Sequence, residues 1–386
     1  MILTWDQAPE EVYPQLKIVA PIQKLVSETL VKHVDEPDEH SFPRSNVNLL
    51  AQHNYLGLLT PKEYGGLGLD ALHATYAIEQ IASVAPATGF VLLLHLLTAN
   101  RIAKAGSEYQ RRKYLPKLAC DTLGASAWSE KGVGADKAFL NTKAYLQDGY
   151  WRLNGQKAFC TGAGQAGVYM VMTDTTDGKG FFLVESENAG LVLGPQMDSM
   201  GLQGTHSGSV GFENALVADE ERVGEPGKIG PIIAFDMRSG LHSGIVASGI
   251  ALGTFRRLLD TVRQNLAFEK YESVRVRVSS LAIQLSIMRT HVYALAEQAS
   301  KPESERPGIE AATMTAKQFL SESALQMTSD AIAIAGTVGY LRETGLERLH
   351  RDALGIVIAA PINGQVLGSI GESLRIKDTA SHLYKV

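Results

Sequence analysis

The order of hydrophobic and polar positions divides the chain into three parts, and the first runs to about residue 123. Apolar residues there recur at helical spacing, interrupted by proline and glycine. Asp70 is placed to cap one helix, and Ser107 with Gln110 forms a capping-box pattern before another. The apolar run Phe90 to Leu97 is much shorter than the ~20 residues that span a bilayer, so it predicts a buried helix.

From 124 to 229 the helical spacing gives way to alternating apolar and polar residues, which is typical of half-buried strands. Asp148-Gly149, Asn154-Gly155 and Asp177-Gly178 are dipeptides that favour the tight turns of β-hairpins. Tyr169 to Met172 and Phe181 to Val184 are strand-like runs on either side of the last of these turns. The segment therefore predicts a compact β domain.

Helical spacing returns from residue 230 to the end. Apolar and small residues from Leu241 to Val262 advance by threes and fours and form one stripe, which predicts a helix in a bundle. A polar break at Lys301 to Pro307 separates two further helices, and Gly336 to Tyr340 ends the second. The expected fold class is α+β, with an N-terminal helical domain (1–123), a central β domain (124–229) and a C-terminal helical bundle (230–386).

Composition narrows the functional classes. The chain has 386 residues, 45% hydrophobic and 20% charged, and a formal net charge of −5 with no run of lysine or arginine. Nucleic acid or an anionic membrane is therefore not an expected partner. Two cysteines make no disulfide framework, and the N-terminus lacks a basic segment followed by an apolar run. We expect a cytoplasmic protein.

The stretch from Ser126 to Thr161 carries the candidate chemistry. A loop with glycines at 132 and 134 lets a ligand approach the backbone closely, and Ser129 and Thr161 supply hydroxyls for a heteroaromatic edge. Cys160, between an aromatic residue and Thr161, is expected to be a packed thiol rather than a nucleophile. Two Gly-X-Gly spacings alone are weak support, since most such loops are turns.

Several ordered segments resemble signature motifs of the acyl-CoA dehydrogenase family, and the resemblance runs over nearly the whole chain. Its anchors are Pro61 to Gly68, Ser129 to Asp136, Asn154 to Thr161, Gly201 to Phe212 and Gly336 to Asp352. The resemblance implies helices, a β domain and a C-terminal four-helix bundle. It also implies bound FAD, an acyl-CoA or acyl-carrier-protein thioester as substrate, and a homo-oligomer, a dimer or tetramer.

Site residues follow from the resemblance, position by position. The backbone at Trp128 and the hydroxyl of Ser129 would face the flavin pyrimidine edge, Thr161 would lie near N5, and Phe159 would lie beside the ring. For Trp128 and Phe159, each taken alone, a place in the plain β-domain core is a serious alternative. The remaining implied residues are Gly336 and Gly339 for the cofactor, and Ala135, Thr205, Ser207 and Ala360 for the substrate.

The usual catalytic base is missing. Ala360 stands where the family carries its catalytic Glu, and the alternative position on the long helix holds Ser243 and Gly244. His242 and His206 are the replacement candidates, because imidazole titrates near neutrality. The chain also differs from the family in the segment that binds the flavin diphosphate. Here Arg275 and Arg277 either bind the diphosphate in another register or lie on a solvated face.

Three functional hypotheses remain open. The first is a flavin-dependent oxidoreductase that dehydrogenates an acyl thioester. The second is a flavin monooxygenase or desulfinase-like enzyme of the same fold, which needs no base for an α proton. The third is a non-catalytic paralogue that acts as a binding or assembly subunit.

Overall fold

The computed structural model describes residues 2–30, 41–132 and 139–376. Within these ranges the fold has helices at both ends and one sheet between them. The α-helices are, in chain order, α1 Pro9–Val12, α2 Pro21–Leu25, α3 Arg44–Gln52, α4 Ala71–Ala82, α5 Pro86–Ala105, α6 Glu108–Cys120, α7 Gly230–Arg238, α8 Gly244–Gln264, α9 Ala267–Lys270, α10 Glu272–Ala299, α11 Ile309–Ala335, α12 Leu346–Ile358 and α13 Asn363–Ile376.

Among the described residues the sheet has eight strands: β1 Gly124–Ala127, β2 Lys143–Gln147, β3 Tyr150–Cys160, β4 Val168–Thr175, β5 Gly178–Glu185, β6 Leu191–Gln196, β7 Gly208–Ala218 and β8 Arg222–Val223. Their spatial order is β6-β7-β3-β2-β4-β5-β8, and β1 pairs in parallel with β4. The expected α+β class, with helices, then a sheet, then a helical bundle, is confirmed.

Local signals in the sequence correspond to real helix and turn boundaries. Asp70 accepts hydrogen bonds from the backbone N–H groups of Leu72 and His73 at the start of α4. Ser107 and Gln110 form a complete capping box at the start of α6. Gly336 ends α11 with φ +67°, and the segment from Phe90 to Leu97 is a buried part of α5. These four local predictions are confirmed.

The hairpin predicted at Asn154-Gly155 is wrong. The other two dipeptides do turn the chain, between β2 and β3 and between β4 and β5, but this one lies inside β3. A β-bulge between Leu153 and Gly155 absorbs the glycine, whose φ is +141°. A Cβ atom at Gly155 would lie 2.5 Å from the Cα atom of Thr142, so the strand requires glycine for close approach rather than for reversal.

Two buried cores hold the layers together. A small core lies between α5, α6 and one face of the sheet, and it includes Ile102, Leu115, Met170 and Phe181. The larger core runs from the N-terminal helices into the C-terminal bundle. Glu79 of α4 is fully buried at that junction, where Arg289 and Tyr293 of α10 donate hydrogen bonds to its carboxylate. The site described below lies where the sheet meets these helices.

The segment Leu346–Glu372 contains an 18-residue window with a mean hydropathy of 1.6, and by length and composition alone it could cross a membrane. It consists of two helices, α12 with 13 residues and α13, joined by a turn at 359–362. Each helix is shorter than the ~20 residues that span a bilayer.

Candidate active site

The first part of the candidate site is the segment that leaves β1. Trp128 and Ser129 follow the last strand residue and are half-buried. The Ser129 carbonyl accepts a hydrogen bond of 2.8 Å from the backbone N–H of Ala158 on β3. This bond places Ser129 beside Phe159, so the structure brings together two residues that are 30 positions apart in the sequence.

The second part is the end of β3, where a bulge turns Phe159 outward. The register between β3 and β7 shifts between Lys157 and Cys160. Phe159 has φ +54° and its side chain is 70% exposed. A bulky residue in the left-handed region is strained, and such strain is concentrated at functional sites. Cys160 is buried at this point, and burial raises the pKa of its thiol to about 12, which makes it inert.

Three predicted hydroxyls form one chain beside Phe159. Thr161 Oγ1 lies 3.4 Å from Ser207 Oγ, and Ser207 Oγ lies 2.9 Å from Thr205 Oγ1. Thr205 Oγ1 in turn donates to the carbonyl of Leu202 at 2.7 Å. The backbone N–H of Gly162 also donates to the Thr205 carbonyl at 2.9 Å. The structure therefore joins the residues predicted to contact the cofactor and the substrate.

A buried ion pair beneath these groups was missed by sequence reasoning. Lys157 Nζ lies 2.6 Å from Glu130 Oε1, and both side chains are almost fully buried. Backbone N–H groups of Asn141 and Thr142 donate to the same carboxylate. Burial opposes ionisation of Glu130, but the Lys157 bond and these donors outweigh it and lower its pKa. A lysine at an inward position of an alternating strand was the signal that could have revealed the pair.

His206 and His242, the two candidate bases, have different surroundings. His206 is half-buried, and its Nδ1 lies 2.9 Å from the carbonyl oxygen of Ala163. Because a carbonyl only accepts, this bond requires a proton on Nδ1, so in the neutral imidazole the lone pair is on Nε2. His242 is buried, and its ring packs near Gly244 and Lys317. Burial, aided by the charges of His291 and Lys317, lowers the pKa of His242 to about 3.

The turn between α12 and α13 carries Ala360, which is exposed. Lys317 of α11 lies under this turn and is 1% exposed; it donates to the Val357 carbonyl at 3.2 Å and to Asn363 Oδ1 at 2.6 Å. Burial lowers the pKa of Lys317 to about 8. Sequence reasoning missed Lys317, because nothing in the helical stripe of α11 separates it from a surface lysine.

The hydroxyl chain and the α12 layer are connected. The backbone N–H of Leu202 donates to Asp352 Oδ1 at 2.6 Å, and Arg351 donates to the Met200 carbonyl at 3.0 Å. The loop that carries Thr205 and Ser207 therefore rests on the helix that leads to Ala360.

The remaining predicted residues lie elsewhere. Gly336 is exposed at the end of α11, and Gly339 is buried in a short 3₁₀ helix, Val338–Tyr340, which packs against α8, α11 and α12. Arg275 donates to the carbonyls of Phe268 and Glu269 within its own bend, and Arg277 is exposed. Ala135 lies outside the described residues.

The donor set fits the ring of FAD. A flat heteroaromatic group with one polar edge needs hydroxyl or backbone donors at that edge and an apolar surface against its face. Ser129 and Thr161 supply the hydroxyl donors for the polar edge, and the exposed ring of Phe159 supplies the apolar surface.

Similar proteins of known family show where the chain belongs. Three family models match: the acyl-CoA dehydrogenase N-terminal domain over residues 14–121, the middle domain over 125–215 and the C-terminal domain over 238–361. An acyl-CoA dehydrogenase of Bacillus subtilis is 31% identical over 350 residues, which are 87% of this chain and 88% of that protein.

Two solved structures show the same fold. Butyryl-CoA dehydrogenase from Megasphaera elsdenii has a TM-score of 0.86 at 24% identity and covers 95% of this chain and 98% of its own. The prolyl acyl carrier protein oxidase AnaB has a TM-score of 0.84 at 23% identity, with coverage of 94% and 98%.

Three acyl-CoA dehydrogenase domains, in the order helices, sheet and helical bundle, define the class of the protein as a flavin-dependent oxidoreductase. The family models match most of the chain, and the bacterial relative matches it along nearly its whole length. The chain belongs to the acyl-CoA dehydrogenase family.

Proposed function

We propose that the protein holds FAD against Ser129, Phe159 and Thr161 and oxidises an acyl thioester of CoA or of a carrier protein. The observation that carries this proposal is the hydroxyl chain Thr161–Ser207–Thr205, which leads from the ring-facing strand to the loop beside the substrate. Membership of the acyl-CoA dehydrogenase family supports both the cofactor and the reaction class.

Each residue has a distinct role in this proposal. When bound, FAD supplies the oxidant that accepts a hydride from the acyl β carbon. Ser129 and Thr161 donate hydrogen bonds to the polar edge of the ring system, and Phe159 excludes water from its face. Thr205 and Ser207 orient the acyl group, and Ala360 leaves the space that a glutamate fills in other family members.

The α proton still needs an acceptor, and we assign it to Nε2 of His206. In the neutral imidazole, the bond to the Ala163 carbonyl favours the tautomer with its lone pair on this nitrogen. His242 is a weaker choice, because an imidazole whose pKa is about 3 is a poor base at neutral pH.

The test is the visible absorption spectrum of the purified protein before and after anaerobic addition of acyl-CoA and acyl-carrier-protein thioesters. The proposal expects the absorption of oxidised flavin and its bleaching by at least one thioester, with formation of an enoyl product. A colourless protein that remains colourless with added FAD would contradict it and would favour a non-catalytic role.

Ala360 also favours a second candidate, a flavin monooxygenase or desulfinase-like enzyme that requires no α-proton base. In that case thioesters leave the flavin oxidised. Turnover would instead consume oxygen after chemical reduction of the flavin, or would release sulfite from a sulfinate.

We further propose a homo-oligomer in the cytoplasm. Exposed apolar side chains on α10 and around the α12–α13 turn support self-association; they are Val276, Ile283, Ile287, Ile358, Ile362 and Leu367. Cys120 and Cys160 are both free thiols, which supports a reducing compartment. Cell fractionation tests the location, and the oligomeric state is tested below.

A further inference from the structure

Arg101 of α5 is a buried cation that contacts all three layers of the molecule. Its side chain is 4% exposed. Its Nε donates to both carboxylate oxygens of Asp236 on α7 at 2.9 Å, and its Nη2 lies 2.8 Å from Asp236 Oδ2. Its Nη1 donates to Ser126 Oγ on β1 at 2.5 Å.

The same guanidinium covers the face of an aromatic ring. Its central carbon lies 4.4 Å from the centre of the Trp128 ring, in the geometry of a cation–π contact. On the sheet side, the Phe181 ring lies 4.9 Å from the Trp128 ring. The indole is therefore packed between a fixed cation and a fixed aromatic ring.

A lysine could not reproduce this arrangement. Only the planar guanidinium can bind a carboxylate with two donors, reach a hydroxyl with a third and still stack on a ring. Asp236 is also buried, so the pair is fully desolvated and its geometry is held strongly.

The Trp128 ring, held between Arg101 and Phe181, lies one residue before Ser129, whose hydroxyl is proposed to face the flavin ring. Trp128 immediately precedes Ser129, and its carbonyl accepts from Lys157 Nζ at 3.4 Å. Lys157 and Ala158 therefore hold this backbone from the β3 side, while Arg101 holds the side chain from the helical side. The ring contact and the backbone bonds therefore restrain two consecutive residues, Trp128 and Ser129, from both sides.

We propose that Arg101 is a positioning residue that fixes the Trp128–Ser129 segment for the flavin ring. This inference rests on the proposed function, because it concerns the same cofactor site. It goes beyond that function by assigning the alignment of the segment to a residue of the N-terminal helical layer, joined to Asp236 in the C-terminal part.

The experiment compares Arg101→Lys with Arg289→Lys. Arg289 is the matched control, because it too is a buried arginine paired with a buried carboxylate, Glu79, but it does not contact the site. The readouts are the Kd of FAD, measured by quenching of flavin fluorescence on titration of the apoprotein, and the position of the visible absorption maxima. Urea unfolding of each variant measures stability separately.

The expected result is a Kd for FAD at least tenfold higher in R101K, with shifted flavin maxima, and a Kd within twofold of wild type in R289K. Equal affinity and identical spectra in R101K and wild type overturn the inference while leaving the proposed function intact. An equal loss in R289K also overturns it, because the effect is then one of general stability. A wild-type protein that binds no FAD overturns the proposed function and this inference together.

If R101K does not fold, Trp128→Leu gives the same comparison, since it removes the ring and leaves the Arg101–Asp236 pair in place. It is expected to raise the Kd for FAD at least tenfold. Unchanged affinity in this variant overturns the inference.

Discussion

Lys157 and Glu130 are both inaccessible to solvent, so removal of either partner leaves the other charge buried and uncompensated. We expect Glu130→Gln to lower the free energy of unfolding by about 3–5 kcal/mol. The control on the same sheet is Asp174→Asn, which breaks the exposed Lys143–Asp174 pair and is expected to cost less than about 1 kcal/mol. Urea unfolding followed by circular dichroism measures both losses, and equal losses would contradict the prediction.

Substitution of His206 tests whether its imidazole accepts the α proton. His206→Gln removes the basic nitrogen and should slow bleaching of the flavin by a thioester by about 100-fold or more. Flavin content should stay unchanged. Stopped-flow absorbance under anaerobic conditions measures the rate, with His242→Gln as the comparison. A large loss in H242Q and none in H206Q would move the assignment to His242.

At the scale of a structural element, strand β3 depends on glycine at position 155. Gly155→Ala places a Cβ atom in contact with the backbone of Thr142, the residue before β2, and strains a positive φ. Strain of this kind costs about 1–3 kcal/mol, and overpacking adds about 1–3 kcal/mol. The control Gly149→Ala also has a positive φ, but nothing lies within 4 Å of its Cβ position, so it should pay only the strain. Thermal unfolding compares them; equal destabilisation would exclude the close contact as the cause.

The same strand shows which features the sequence can predict. Capping boxes and two of the three hairpin turns depend on a few neighbouring residues, so local chemistry is sufficient to predict them. Asn154-Gly155 carries the same local signal, but pairing with β2 and β7 on both sides keeps β3 continuous. Long-range contacts override the turn preference there.

The candidate site was predictable only in part for the same reason. Ser129, Phe159, Thr161, Thr205 and Ser207 were found because they stand in motifs. Arg101 and Lys317 bind partners distant in sequence, so their burial and pairing became visible only in the folded chain. The alternation of β3 indicates that Lys157 points inward, but its partner Glu130 became visible only in the structure.

At the scale of the whole molecule, buried histidines make stability depend on pH. His95 is fully buried; its Nδ1 accepts from the Gly124 N–H, and its Nε2 donates to the Leu56 carbonyl. Burial lowers the pKa of His95 from 6.5 to about 4, and that of His242 from 6.5 to about 3. Between pH 6.5 and 4 the unfolded chain therefore binds more protons than the native protein does, and stability falls as pH falls.

For each histidine the expected slope approaches about 1.4 kcal/mol of unfolding free energy per pH unit as the pH falls from 6 to 5, and it is about half as steep between pH 7 and 6, where the unfolded imidazole is only partly protonated. Urea titrations at pH 7, 6 and 5 measure it. The single substitutions His95→Asn and His242→Gln should each remove the contribution of one histidine, up to about 1.4 kcal/mol of unfolding free energy per pH unit, from that slope. A wild-type stability that is constant over this range would show that these imidazoles remain accessible to protons.

Self-association is the remaining property of the whole molecule. Val276, Ile283 and Ile287 recur at helical spacing on the exposed side of α10, and Leu367 of α13 is 53% exposed. Such apolar surface is stabilised when a second copy covers it. We expect sedimentation velocity to show wild-type species of at least twice the 41.6 kDa chain mass.

The double variant Ile283→Glu and Leu367→Glu should shift these species toward the monomer, because burying two carboxylates in an apolar interface is unfavourable. The control Ile18→Glu, at a residue 64% exposed in the N-terminal layer, should leave the distribution unchanged. A wild-type protein that sediments as a monomer at all concentrations would exclude the proposed oligomer.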